Sequence, residues 1–233
     1  MKSKFINIII LTLCFCNIKA QIKAKPQNLP RYDNKKIHFG FTIGINSLDF
    51  NILHNPEIIY KDSLYALNSK SQKGFNLGIV SNFRLGRYTD LRFIPALVFG
   101  ERKLIYYFSD SINLNGSKAV ESTLIDFPLY IKYKSKRYHN FRTFVLCGVK
   151  YSLDIASQKD IIDEDNIVIK LNPHDLLGEI GVGMDFYLEF FKFSTQLKLS
   201  SGIINIIDKD QTIYTQSINK LLSKGWVLSF TFE

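Results

Sequence analysis

The sequence predicts an all-β protein: an eight-stranded antiparallel up-and-down transmembrane β-barrel, preceded by a cleaved signal peptide. Three observations carry this expectation. Apolar residues recur at every second position in eight separate segments, the signature of strands. The links between those segments alternate between short and long. The face opposite the apolar one carries glycines and charges, which cannot make a dry core.

Residues 1–20 read as the signal. Lys2 and Lys4 give a positive start, Phe5 to Cys16 is apolar apart from Asn7 and Thr12, and Ile18-Lys19-Ala20 ends on a small residue. The apolar run is too short to cross a bilayer as a helix. Cys14 and Cys16 follow Leu13 and Phe15, whereas a lipidated cysteine follows a small residue, so a lipoprotein is disfavoured. Cleavage leaves Cys147 alone, which excludes an intramolecular disulfide and a cysteine metal cluster. The signal holds three lysines and no acid, so the formal net charge falls from +9 to +6 on cleavage. That surplus suits an anionic surface or partner but does not indicate nucleic acid. Beyond residue 21 no run approaches the roughly twenty apolar residues of a membrane helix. Residues 21–36 are expected to form a periplasmic N-terminal arm and 37–233 the barrel domain.

In the first barrel segment Phe39, Phe41, Ile43 and Ile45 alternate with His38, Gly40, Thr42, Gly44 and Asn46. In the second, Phe75, Leu77, Ile79, Phe83 and Leu85 oppose Asn76, Gly78, Asn82 and Arg84; in the third, Leu91, Phe93, Leu97 and Phe99 oppose Arg92, Ala96, Gly100 and Arg102. The fourth sets Ile125, Phe127, Leu129, Ile131 and Tyr133 against Asp126, Tyr130, Lys132 and Lys134. The fifth sets Val145, Cys147, Val149, Tyr151 and Leu153 against Gly148, Lys150, Ser152 and Asp154. In the sixth, Ile180, Val182, Met184, Phe186 and Leu188 oppose Glu179, Gly181, Gly183 and Asp185. In the seventh, Phe191, Phe193, Leu197 and Leu199 oppose Lys192, Ser194, Gln196, Lys198 and Ser200. The last has Trp226, Leu228, Phe230 and Phe232 against Gly225, Ser229, Thr231 and Glu233.

Eight such segments close naturally into a barrel, which removes exposed edges. Short links lie near Gly86–Asp90, Ser135–Asn140 and Glu189–Phe190; long ones run near Asn51–Lys73, Ser109–Lys118, Ala156–Asp175 and Ile204–Lys224. Short periplasmic turns and long outer loops are the outer-membrane arrangement. A soluble barrel of the lipocalin kind would put its apolar groups inside. Here the polar face is the one that must look inward, with the apolar face meeting lipid in a Gram-negative outer membrane. Pro95 and Pro128 fall inside strands, where proline removes a ladder hydrogen bond, so a local bulge is expected there. Ile94, Val98, Leu124, Phe144 and Leu146 take the inward parity; they form an apolar plug or mark a slipped register.

The interior of eight strands is just wide enough to be filled by side chains, so a diffusion pore is not expected. Candidate luminal charges are Arg84, Arg92, Arg102, Asp126, Lys132, Lys150, Asp154, Glu179, Asp185 and Lys198, with Lys192 beside them. They form a salt-bridged network or a polar pocket; buried charges must pair to be tolerated. His38, His54, His139 and His174 have no zinc-ligand spacing, and no HExxH, GxSxG, phosphate-loop or dinucleotide fingerprint occurs, so no catalytic, cofactor or metal residue is expected. Tyr88, Tyr133, Tyr138 and Phe190 near the turns, and Tyr106, Tyr107 and Tyr151 toward the loops, suit two interfacial girdles. The C-terminal alternation of Trp226, Leu228, Phe230 and Phe232 looks like the signal by which barrel-assembly machinery recognises its substrates. Lys35, Lys36, Arg87, Lys136 and Arg137, with Arg31 and Arg142 nearby, give a basic periplasmic face that docks an acidic partner or is simply solvated. The third long loop carries Asp160, Asp163, Glu164 and Asp165.

The run NLPRYDNKKIHFGFTIGINSLDF, Asn28 to Phe50, resembles the opening of the PorT family, called SprT in gliding bacteria. RFIPALVFGERKLIYYF from Arg92, ESTLIDFPLYIKYKSKR from Glu121 and GEIGVGMDFYLEFFKFS from Gly178 carry the same likeness. The resemblance implies an outer-membrane barrel needed for type IX protein secretion and, where present, gliding motility. It implies other type IX secretion proteins as partners, no cofactor and no enzymatic activity. The competing readings are a lipid-modifying barrel enzyme, which needs an outward histidine–serine pair that the sequence does not offer, and a passive structural or adhesion barrel acting through its long loops.

Overall fold

The computed structural model describes residues 26–54, 64–108, 116–156, 171–208 and 218–233. The signal segment, Lys23, Lys25, the acids of the third long loop and the side chains of Tyr106 and Tyr107 lie outside the described residues.

The alternating segments form strands β1 (Ile37–His54), β2 (Leu64–Arg84), β3 (Thr89–Phe93), β4 (Ala96–Phe108), β5 (Gly116–Lys134), β6 (Phe141–Asp154), β7 (His174–Tyr187), β8 (Lys192–Gly202) and β9 (Ile218–Phe232). Each is antiparallel to its neighbour, and β1 pairs with both β2 and β9, so the sheet closes. β3 and β4 occupy one position in the ring, which therefore has eight positions.

Pro95 and Pro128 explain why that position is interrupted. Neither can donate, so two rungs of the ladder each lose one bond. What remains is Ile79 N–H to the Pro95 carbonyl at 2.9 Å and Ile94 N–H to the Pro128 carbonyl at 3.4 Å. The expected bulge is not there. Ser81 faces Phe93 on one side of the break and Gly78 faces Ala96 on the other, three residues further along both strands, so no residue is inserted. The register shifts lie instead near the long-loop end, between Ser71 and Phe75 and between Leu64 and Ala66 in β2 against β4.

The closure has a measurable stagger. From His38 the pairing runs through Asn82, Arg92, Tyr130, Gly148, Glu179, Ser200 and Gly225 and returns to β1 at Leu48, a displacement of ten residues. Ten residues span about 33 Å along a strand, and eight strands about 38 Å around the ring, so the strands tilt by about 40°. That is the tilt of outer-membrane barrels.

Sidedness follows the parity. Phe41 is 55% exposed and Val182 57%, while Arg92, Lys132 and Asp185 are fully buried. Leu228 shares the outward parity of Trp226, whereas Val227, Ser229 and Thr231 are buried. In water this surface would expose an apolar band far larger than a soluble monomer tolerates; in a bilayer it is the correct solvent-facing side.

The strands at the long-loop end run further than the alternation suggested. β1 extends to His54 and β2 begins at Leu64, inside the link expected at Asn51–Lys73; β5 and β9 likewise start within their expected links. The hydrogen-bonded ladder continues there, pairing Ser69 with Leu104 and Lys70 with Lys103. Beyond the lipid the outer face meets water while the inner face still packs Phe50, Leu67 and Leu104, so the outward apolar period fades while the pairing persists.

Candidate functional site: a filled lumen and a basic turn end

The inward parity brings ionic groups together in three tiers. Nearest the turns, Asp185 on β7 accepts from Lys132 Nζ at 2.8 and 2.9 Å, Arg142 Nε at 3.3 Å and Ser194 Oγ at 2.6 Å. Glu233 meets Arg92 at 2.5 Å and also pairs with Lys192. Asp90 takes Lys134 at 2.5 Å and Asn82 Nδ2 at 2.9 Å. In the middle, Lys150 bridges Asp126 at 3.1 Å and Glu179 at 2.9 Å, while the Tyr130 hydroxyl donates to Glu179 and receives Lys198 at 3.3 Å. Toward the loops, Arg102 reaches Asp154 at 3.6 Å, donates to Ser122 Oγ at 2.6 Å and lies over the Phe50 ring at 4.4 Å. Removing either member of such a pair strands a charge, which is what makes the network a rigid unit.

Apolar layers lie beside the ions. Ile94, Phe144 and Leu146 pack with Val80 and Tyr130, and Val98 and Leu124 pack with Leu48, so the inward apolar residues form the plug and the register holds. At the loop end Leu171, Ile206 and Ile207 fold back onto Phe50, Leu104, Ile218 and Leu221, capping the mouth with hydrocarbon. A cavity beneath this cap, between Arg102 and Asp154, measures about 20 Å³, and another between Tyr32, His38 and Lys192 about 10 Å³, each room for about one water.

The other mouth is closed by the N-terminal arm. A single 3₁₀ turn, Tyr32–Asn34, is seated under the barrel. The Tyr32 hydroxyl donates to Glu233 at 3.0 Å, and its ring stacks on His38 with centroids 4.0 Å apart. Burial and the neighbouring Glu233 charge push the Tyr32 phenol well up, keeping it a donor. Asp33 accepts from Arg142 at 2.7 Å and from the Tyr187 hydroxyl at 3.1 Å, and its carbonyl accepts from Arg84. Burial pushes the Asp33 carboxyl up, but Arg142 outweighs it, and the net position is below the ordinary carboxylate value.

Two sequence expectations are corrected here. Arg84 does not join the luminal network; it bonds the Gly86 and Asp33 carbonyls at the rim, because it sits at the last residue of β2 where the arm crosses. Arg137 does not belong to a free basic face: it donates to the His139 carbonyl at 2.8 Å and to the Asn28 carbonyl, and it lies 3.6 Å over the Tyr187 ring, clamping the arm. Arg142, grouped with the turn charges by sequence, is buried inside. Lys35, Lys36, Arg87 and Lys136 do stand exposed at the turn end. Sequence reasoning also missed Asp33, Asp90 and Tyr32 as network members; Asp90 shares the parity of Arg92, a signal that was readable. Glu233 and Lys192 carried the right parity but no assigned partner. Among the described residues no group of His, Cys, Asp and Glu is placed to hold a metal.

The chain matches the family model described as outer membrane protein beta-barrel domain, over residues 20–208. The chain belongs to this outer-membrane β-barrel family. Among solved structures, OprG from Pseudomonas aeruginosa is similar at 13% identity and TM-score 0.50, covering 84% of this chain and 94% of that one. Neisserial surface protein A is similar at 10% identity and TM-score 0.41, covering 84% and 98%. The outer membrane protease OmpT from Escherichia coli is similar at 11% identity and TM-score 0.43, covering 85% and 96%. Comparison with curated proteins yields no match. Family membership places the barrel in a Gram-negative outer membrane.

Proposed function

We propose that this outer-membrane barrel is a non-enzymatic component of type IX protein secretion, and of gliding where the host glides, acting through protein–protein contacts. The observation that carries the reading is the filled lumen: ionic tiers, apolar layers, a hydrocarbon cap at one mouth and the N-terminal arm at the other. A barrel so filled works through its surfaces rather than by conducting solutes. The likeness of Asn28–Phe50 and of the three further runs to the PorT family supplies the secretion system.

On this reading Lys35 and Lys36, which flank the docked arm and stay exposed, meet an acidic partner in the periplasm. Deleting the gene and assaying exported proteins tests the reading; normal export removes it. Charge reversal at Lys35→Glu and Lys36→Glu keeps the barrel folded and abolishes co-purification of the partner in mild detergent. Unchanged co-purification moves the contact elsewhere.

A further inference from the structure

Two hollows of opposite character meet on this barrel. The first is a groove of about 620 Å³ on the lipid-facing wall, lined by Tyr133, Val145, Val182, Met184, Leu197 and Leu228. It lies where the paired row Thr143–Met184–Thr195 carries two short threonines, between the bulky row Phe141–Phe186–Phe193 and the aliphatic row Val145–Val182–Leu197. Its volume lies within the roughly 300–1,000 Å³ typical of small-molecule sites. The second is a cup of about 210 Å³ at the turn end, lined by Arg84, Arg87, Lys134, Lys136, Arg137 and Arg142 with Asp33 as the one acid in its wall. Ser135 lines both, fixed by its N–H to the Thr143 carbonyl at 2.9 Å and by its Oγ accepting from Thr143 N–H at 3.1 Å.

The cup is over-supplied with cations. Arg84, Lys134, Arg137 and Arg142 are held by acids or carbonyls. Arg87, beside the Tyr88 ring at 5.4 Å, and Lys136 are exposed and have no acid partner among the described residues. The outward Tyr88, Tyr133 and Tyr138 put this rim at headgroup height.

We propose that the groove and the cup are one binding site for an anionic phospholipid of the periplasmic leaflet. Its phosphate sits in the cup against Arg87 and Lys136, and one acyl chain lies in the groove past Ser135. Guanidinium and ammonium groups make charge-assisted hydrogen bonds to phosphate oxygens. The groove supplies what a free phosphate cannot use. The site claims Arg87 and Lys136 and leaves Lys35 and Lys36 for protein contacts, so it stands or falls independently of the secretion reading.

The test is native mass spectrometry of the mature barrel in mild detergent, titrated with phosphatidylglycerol, with inorganic phosphate and diacylglycerol as separate probes. Folding of every variant is checked by its heat-sensitive gel mobility. The wild type retains one phosphatidylglycerol. Arg87→Gln with Lys136→Gln weakens that binding about 30-fold, from about one surface cation's contribution each. Thr195→Trp, which fills the groove, weakens phosphatidylglycerol while leaving inorganic phosphate unaffected. Equal retention by wild type and both variants means annular lipid only and overturns the site. Phosphate binding with no effect of Thr195→Trp on phosphatidylglycerol means an anion cup without a lipid, and also overturns it.

Discussion

Replacing Asp185 by Asn probes whether the lumen is dry and paired. The substitution keeps the shape and removes the charge. Asp185 is fully buried and holds Lys132, itself fully buried, at 2.8 Å, together with Arg142 at 3.3 Å. Arg142 retains Asp33 at 2.7 Å, but among the described residues Lys132 has no other acid within ion-pair distance. Its ammonium keeps the Phe144 face at 3.7 Å and the more distant Glu233 charge, both weaker attractions. Breaking a buried pair from one side costs about 3–5 kcal/mol. The double variant Asp185→Leu with Lys132→Met removes both charges and should recover most of that loss, since apolar replacement of a buried pair is often neutral. Urea unfolding of the reconstituted barrel in lipid vesicles, followed by Trp226 fluorescence, reads both quantities. A single-variant loss below about 1 kcal/mol, with no recovery in the double variant, would mean a hydrated lumen in which the pair is screened, and the account of the interior would be wrong.

The arm should be acid-sensitive. Because Asp33 lies below its ordinary value of 3.8 when docked, its contribution is complete above that value and is lost as the pH falls through the lower, docked value. With Cys147 replaced by Ser, a fluorophore at Lys35→Cys should hold a high anisotropy at pH 7 and lose it below about pH 3.8; Asp33→Asn should lower it already at pH 7. An anisotropy indifferent to both changes would refute the docking. Gly148→Ala should impair folding, because a Cβ there would come within 2.0 Å of the Leu129 carbonyl in the paired strand. The expected loss is about 1–3 kcal/mol, read by the same urea unfolding; a neutral variant would contradict the close approach of β5 and β6.

The architecture was legible in the sequence wherever one face met lipid and the other met the lumen. Parity alone put Arg92, Lys132, Lys150, Glu179 and Asp185 inside, and it also put Ile94, Val98 and Phe144 there as apolar filling. It failed where the physics that writes the parity stops. Beyond the bilayer the outer face of β1, β2 and β4 is wet, and the outward apolar alternation that marks a lipid-facing strand stops, so Ser69 and Lys70 read as loop although they are paired. The arm was illegible for a different reason. Tyr32 and Glu233 lie 201 residues apart, and a contact at that separation leaves no local pattern. Arg137 and Arg142 were grouped by their nearness to a turn, yet Arg142 has the parity of Phe144 and Leu146, and following parity past the strand end would have placed it inside. The groove has a faint signal: Thr143 and Thr195 are short polar residues on the outward parity of β6 and β8, paired to the same Met184.

Trp226 gives the most direct test of sidedness. It is the chain's single tryptophan, it stands 40% exposed on the outward parity of β9, and no substitution is needed to use it. In vesicles made with lipids brominated midway along the acyl chain, its emission should be strongly quenched, while iodide in the water should have little effect. Emission untouched by the bromines and readily quenched by iodide would mean that the apolar face does not meet hydrocarbon.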